Sequence, residues 1–293
     1  MTNSDSKDSL ATNEESTREK LTKTESNTTD STTAETMTFD STTSESTTTD
    51  KSLFYVGVGA SAGGLEALRP FVANLPEADN LTYIIAQHMS PDHRSMMVEL
   101  LSRATKLKVH PVTNNLKPEA NTIYVVPSNT DVTMAGGKLH ISKPSNTIGP
   151  KPSINRLFIS LADDCEEKAI GIILSGTGTD GAHGIKAIKA AGGITIAQDP
   201  LSAKYDSMPY AAMRIGGADL VLPSAEVALQ LNLLIRRIND TINKEQDELP
   251  PSTMRGIIRQ ITNHTGMDFT NYKEATLSRQ IMRRMMAKQL PDI

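Results

Sequence analysis

Ser61, His88 and Asp180 are the three side chains of this sequence whose types and settings match acyl-transfer chemistry. In such chemistry a hydroxyl attacks, an imidazole takes and returns its proton, and a carboxylate fixes the tautomer of the imidazole. Ser61 lies in Gly59-Ala60-Ser61-Ala62-Gly63, a match to G-x-S-x-G, in which a strained strand-to-helix turn lifts Oγ clear of a sheet and small neighbours let the backbone bend. The helix that follows would point unpaired N–H groups at an oxyanion formed there. Glycine-rich turns of this kind also bind phosphate or simply reverse the chain, so Ser61 reads as a nucleophile only if partners lie beside it.

His88 supplies one partner, at the end of the apolar run Leu81 to Ile85. A lone histidine is commonly a structural hydrogen-bonder, but one at the same sheet edge as an exposed serine reads as its base. Asp180 follows the most apolar run of the chain, in Leu174-Ser175-Gly176-Thr177-Gly178-Thr179-Asp180-Gly181-Ala182-His183-Gly184. It reads as the orienting acid, and equally as a helix N-cap, two uses that the same strand end permits. His183 is a rival base, set three residues on at a helix start where it would point along that helix. The order Ser, His, Asp is not the Ser, Asp, His order of α/β-hydrolases, which argues against that fold. Cys165, the single cysteine, sits among Asp163, Asp164, Glu166 and Glu167, whose charges disfavour a thiolate nucleophile.

The elements that must carry these residues alternate between apolar runs and amphipathic stretches from Lys51 to about Arg236. This pattern predicts βαβ units and a doubly wound, mostly parallel α/β sheet. Strands are expected at Phe54 to Val58, Leu81 to Ala86, Ile123 to Val126, Ala169 to Leu174 and Ile194 to Ala197, because near-continuous apolar runs suit strands covered on both faces. Val132 to Met134 and Lys138 to Ser142, joined by Gly136-Gly137, read as an antiparallel β-hairpin. Helices are expected at Gly64 to Asn74, Ser95 to Ala104, Ser153 to Glu167, Gly181 to Ala191, Tyr210 to Ile215 and Ser224 to Ile238. All three site residues then fall at the carboxyl ends of strands, where open parallel sheets bind their ligands.

Composition sets the domain plan. Of the first 50 residues, 25 are Ser or Thr and none is Gly or Pro, so this stretch cannot bury a core and is expected to be a disordered tail. It holds 11 acidic against 4 basic residues, whereas residues 51–293 hold 23 acidic and 26 basic, so the overall charge of −4 comes from the tail. Without an apolar leader or any run of 18 apolar residues, the chain is expected to be cytoplasmic, with no direct membrane insertion. One cysteine excludes an intrachain disulfide and suits a reducing compartment.

At these residues the chain resembles a known family. The GASAGG, QHM and SGTGTDGA segments are similar to the catalytic domain of CheB-type protein-glutamate methylesterases, and the likeness runs on through Lys151 to Phe158 and Ser207 to Ala211, covering about residues 53–236. The resemblance implies a nucleophile at Ser61, a base at His88, an acid at Asp180, and an oxyanion held by the backbone N–H groups of Ala62 and Thr177, the latter standing where relatives often have methionine. It implies hydrolysis of glutamyl methyl esters, and deamidation of glutamines, on the cytoplasmic helical bundles of methylated chemoreceptors. Such methylesterases usually carry an N-terminal receiver domain; the Ser/Thr-rich stretch stands in its place, so a phosphoaspartate switch in cis is not expected.

Past the linker 239–251, the segments Thr265 to Lys273 and Thr276 to Met285 resemble the N-terminal helical domain of CheR-type receptor methyltransferases, as found in fused methylesterase-methyltransferase proteins. The domains expected are therefore 1–50, 51–238 and a partial helical domain at 252–293. The domain that binds S-adenosylmethionine does not follow within these residues, so no methyltransferase activity and no cofactor are expected. Arg279, Arg283 and Arg284 share a helix at i, i+4 and i+5, which reads either as a basic surface for docking on acidic receptor helices or as a solvated face over a core stripe.

Other functions fit less well. Gly57-Val58-Gly59-Ala60-Ser61-Ala62 formally matches the G-x-G-x-x-A of a dinucleotide-binding oxidoreductase, but the second strand ends in Gln87-His88 and offers no acid to a ribose hydroxyl. A metal site is not expected, since His88 and His93 stand five apart across Pro91 and no H-E-x-x-H occurs. Nucleic acid is not expected as a partner, because the basic cluster is short and has little aromatic interleaving. A catalytically idle receptor-binding scaffold remains the alternative to an enzyme.

Overall fold

A computed structural model describes residues 53–77, 80–89, 96–144, 149–243, 250–269, 272–288 and 290. The tail read over 1–50, residues 244–249 of the linker and His93 lie outside them. Seven strands, β1 (Phe54–Ala60), β2 (Leu81–Gln87), β3 (Lys108–Pro111), β4 (Thr122–Val125), β7 (Ala169–Ile173), β8 (Ile194–Gln198) and β9 (Leu220–Leu222), form one sheet in the order β3-β4-β2-β1-β7-β8-β9. Every pair in it is parallel. The hairpin forms where expected, from β5 (Asp131–Ala135) and β6 (Lys138–Ser142), and both turn glycines take positive φ, as its tight reversal requires.

Helices cover both faces. On one lie α1 (Gly64–Ala73), α2 (Met97–Ser102) and α6 (Ser224–Asn243), burying Leu68, Phe71, Leu101, Val227, Leu231 and Ile235 against Val56, Val58, Tyr83 and Ile85. On the other lie α3 (Ile154–Cys165), α4 (Ala182–Ala190) and α5 (Ser207–Arg214), with Leu157, Phe158, Leu161, Ile185 and Met208 in a second core with the hairpin's Val132, Met134 and Leu139. Adjacent residues of a strand thus enter different cores, as Ile84 and Ile85 do, which explains the unbroken apolar runs. Two further helices, α7 (Pro251–Thr265) and α8 (Glu274–Ala287), follow, and α8 packs against α6. Among the described residues no helix is long and apolar enough to cross a membrane.

Two strands were not legible in the sequence. Both β3 and β9 are short edge strands with exposed positions, so neither carries the apolar run that marks the central ones. The glycines of β1 also have a different reason from the one their motif suggests. A Cβ on Gly57 would come 2.7 Å from Leu161 Cδ1, and one on Gly59 would come 2.5 Å from Ile154 Cγ2, so both bring α3 hard against the central strand. The space beside the G-x-G-x-x-A match is filled by α3 side chains rather than open to a pyrophosphate. Of the glycines in G-x-S-x-G only Gly63, with φ of 69°, meets a positive-φ demand, as the residue that opens α1.

Candidate active site

Strand pairing brings the nucleophile candidate and the base candidate together. β1 and β2 run parallel in register as far as Ala60 opposite Gln87, so Ser61 and His88 are the next residue on each strand, and the His88 amide donates to Ala60 O at 3.0 Å. On the other side of β1, the Ser61 amide donates to Ser175 O at 3.0 Å, which carries the ladder one step beyond β7. Ser61 therefore sits at the carboxyl end of the central strand, with the His88 loop on one flank and the Ser175–Gly181 loop on the other.

That second loop delivers Asp180. Its Oδ2 accepts a hydrogen bond from His88 Nε2 at 2.9 Å, with the two side chains only 7% and 12% exposed. The same carboxylate accepts the amides of Ile154 (2.8 Å) and Asn155 (3.0 Å) at the N-terminus of α3, and that of Gly181 (3.0 Å). The helix capped is α3, not the α4 that follows Asp180 in sequence, so the orienting and capping roles are served at once. Burial pushes the Asp180 carboxyl up, but the hydrogen bond from His88 and the two α3 amides outweigh it and hold its pKa below the ordinary carboxylate value.

An ionised carboxylate only accepts, so the His88 proton resides on Nε2 and Nδ1 keeps the free lone pair. Nδ1 is buried and has no hydrogen-bond partner among the described residues, which makes it the basic atom of the pair. A cleft of about 350 Å³, lined by His88, Met89, Asn129, Gly149, Pro150 and Lys151, opens beside the imidazole. His183 is exposed on α4 and is not part of this arrangement.

The pH dependence of stability follows from the lowered Asp180 pKa. Its contribution is complete above the ordinary carboxylate pKa, roughly 3.9, and is lost as pH falls through the lower folded value, because the unfolded chain binds the proton first. Asp180→Asn is therefore expected to flatten the acid limb of a urea-midpoint profile below about pH 4. Parallel acid limbs for the two proteins would show that the carboxylate binds its proton equally in both states.

Several polar groups missed in the sequence hold the turn. Gln87 Nε2 donates to Ser61 O at 2.7 Å and to His88 O at 3.0 Å, so one side chain ties the backbone of both residues. Room for it exists because Gly64 has no Cβ, which would lie 2.0 Å from Gln87 Oε1. Ser175 Oγ accepts the Tyr205 amide at 3.0 Å and lies 3.0 Å from Ala62 O, and the Ser175 amide donates to Gln198 Oε1 at 2.9 Å. Gly176 admits the serine closely, since a Cβ there would stand 2.8 Å from Ser61 Cβ and 2.1 Å from Met208 Sδ. The signal for these residues was polarity in the last position of a buried strand, visible at Gln87 and Gln198 alike. The amides of Ser61 and Gly176 are occupied, donating to Ser175 O and Tyr205 O, whereas those of Ala62 and Thr177 meet no described acceptor.

Residues 56–231 match the CheB methylesterase family model, well over half of the chain. This chain belongs to the CheB methylesterase family. Residues 252–293 match a second model, the all-alpha domain of CheR methyltransferase. The catalytic domain of Thermotoga maritima CheB methylesterase is similar in structure, with a TM-score of 0.57 and 26% sequence identity, covering 61% of this chain and 97% of that one. The protein-glutamate methylesterase/protein-glutamine glutaminase 1 of Carboxydothermus hydrogenoformans is 35% identical over 182 residues, 60% of this chain and 54% of the relative. An uncharacterized 104.1 kDa protein of Rhodobacter capsulatus is 33% identical over 220 residues, 67% of this chain and 23% of the relative. The chain thus spans about half the length of the curated methylesterases it matches.

Two readings on other residues are corrected. Arg283 and Arg284 do not form a free docking face with Arg279: Arg283 is 7% exposed and donates to Glu167 O at 2.6 Å, while Arg284 pairs with Asp219, and Arg279 alone stays exposed. The α8 pattern showed where the arginines lie on the helix but not the acceptors that turn two of them inward. The Cys165 thiol is pushed up to about 12, as its flanking acids suggested, but burial comes first and Asp164 second. Among the described residues no group of His, Cys, Asp and Glu is arranged to hold a metal.

Proposed function

We propose that this chain is a protein-glutamate methylesterase that removes methyl esters from glutamyl side chains of chemoreceptors through an acyl-enzyme on Ser61. The observation that carries the reading is the buried His88–Asp180 pair, held one residue past the paired strand ends where Ser61 also emerges. His88 Nδ1 takes the proton of Ser61 Oγ as the oxygen bonds to the ester carbonyl carbon, and the amides of Ala62 and Thr177, which meet no acceptor among the described residues, receive the oxyanion. Collapse breaks the bond to methoxide, which leaves as methanol with the proton from Nδ1. Water then attacks the acyl carbon by the same route, freeing Ser61 and leaving a glutamate. A glutamine substrate would follow the same steps with ammonia as the leaving group.

The names of the relatives support the substrate class, and the reading puts the chain in the cytoplasm, where receptor methylation helices lie. The catalytic unit is taken as 51–243, because α6 runs on to Asn243 through the residues expected to open the linker at 239, and the methyltransferase-type segment is taken from Pro251, where α7 begins. No cofactor is assigned to either step, because each needs only a nucleophile, a base and donors to the oxyanion. Release of methanol from membranes bearing methylated chemoreceptors tests the proposal. A steady release that scales with enzyme is expected, whereas receptor binding without release would identify the idle scaffold instead.

A further inference from the structure

The methylesterase domain ends its sheet, on the side away from Ser61, with a set of acceptors that its own residues only partly use. Asp219, 2% exposed, precedes β9 and accepts the amide of Thr195 at 3.1 Å and its hydroxyl at 2.8 Å, with Lys189 Nζ 3.1 Å from Oδ1. Beside it lie the carbonyls of Lys189, in the last turn of α4 and already accepting the Gly192 amide at 3.1 Å, of Gly192 just beyond that helix, and of Glu167 in the turn after α3. The C-terminal end of a helix carries partial negative charge, so this corner calls for cations.

Two adjacent arginines of α8 answer it. Arg284 Nη1 bonds Asp219 Oδ2, and its Nη2 donates to Lys189 O at 2.6 Å. Arg283 Nη1 donates to Glu167 O at 2.6 Å and reaches Gly192 O at 3.4 Å. A buried guanidinium is tolerated when it is paired with acceptors, and these carbonyls, with the Glu167 carboxylate 3.8 Å from Arg283 Nη2, supply that pairing. The seat is close: a Cβ on Gly192 would approach Gln280 Nε2 of α8 to 3.7 Å, Ala287 is fully buried, and Met286 packs against the core that α1 and α6 share.

We propose that Arg283 and Arg284 latch the methyltransferase-type segment onto the methylesterase domain through Asp219 and the carbonyls of Glu167, Lys189 and Gly192, making the two segments one body. The surface is thus an intrachain interface, and its partner is the second helix of the adjoining segment. While the latch is closed these two arginines are not available to an acidic receptor helix. Because the acceptors lie at the amino ends of β7, β8 and β9, five-residue strands or shorter, the latch is roughly 15 Å from the carboxyl ends that bear the site and leaves Ser61 uncovered. The inference stands on α8 and its acceptors and is independent of the ester-hydrolysis reading.

Hydrogen–deuterium exchange on the full chain tests it, with methanol release measured alongside. The double variant Arg283→Gln/Arg284→Gln is expected to raise exchange across 274–287 by about ten-fold or more while β1 and β2 keep their protection. Arg279→Gln, which removes one positive charge from the exposed side of the helix, is expected to leave α8 protected. Unchanged α8 protection in the double variant would overturn the latch. So would equal loosening by Arg279→Gln, which would make the effect one of helix charge, or equal loss of protection in β1 and β2, which would place the arginines in the global core. A double variant with loosened α8 and undiminished methanol release supports the latch and leaves the active-site proposal standing on its own test.

Discussion

Ser61→Ala is expected to lower methanol release from methylated receptors by about 10⁶-fold while the protein keeps its fold. Loss of Oγ removes the atom that forms the acyl-enzyme, and the neighbouring hydroxyl of Ser175 does not substitute for it, being fully buried and engaged with Ala62 O and the Tyr205 amide. The fold is spared because the turn is held by backbone atoms that alanine retains. Ser61 N still donates to Ser175 O, and Ser61 O still accepts from Gln87 Nε2 and from the Gly64 amide at 2.9 Å. Wild-type methanol release from the alanine variant, with an unchanged thermal midpoint, would remove Ser61 from the mechanism.

A second large effect is expected at the paired base and acid, with a definite order. His88→Gln should cost about as much as Ser61→Ala, and the double variant Ser61→Ala/His88→Gln little more than either, because residues acting as a unit lose activity together, on the order of 10⁶-fold for such a unit. Asp180→Asn should cost less, about 10⁴-fold, and through a particular atom. An asparagine that turns its NH₂ toward His88 donates to Nε2, which moves the imidazole proton to Nδ1 and removes the lone pair that faces no other partner. The neutral side chain also answers the amides of Ile154 and Asn155 less well than a carboxylate does. Rates of methanol release for the three variants check the order. His183→Gln, altering an exposed residue of α4, should be near wild type; a larger loss there than at His88 would mean that the base has been misassigned.

The latch recasts what the C-terminal segment does to the protein. Its basic residues read from sequence as a docking surface or a solvated face, yet two of the three arginines bond carbonyls and a buried carboxylate of the methylesterase domain. Loss of both would remove donors from acceptors at the amino ends of three strands rather than only weaken an encounter with a receptor. A charge-reversal experiment designed as a test of receptor docking would therefore report mainly on Arg279 and would confound docking with interface loss at the other two.

The fold and the site were unequally legible. The central strands β1, β2, β4, β7 and β8 could be read because burial on both faces leaves runs with few polar residues, whereas β3 and β9 are edge strands whose exposed positions break that signal. The site residues could be read because each is a polar residue just after such a run, and chemistry at the ends of parallel strands needs that placement. The sequence by itself therefore determined the doubly wound class, the hairpin and the candidate Ser61, His88 and Asp180. Only the tertiary structure decided which of their atoms meet. The Ala60–Gln87 register puts Ser61 and His88 side by side, Asp180 caps a helix 26 residues away in sequence, and α8 turns Arg283 and Arg284 toward acceptors far from it in the chain. The reason is the same in each case: a residue's type and its local period state what it can bond, while register and packing between distant segments state what it does bond.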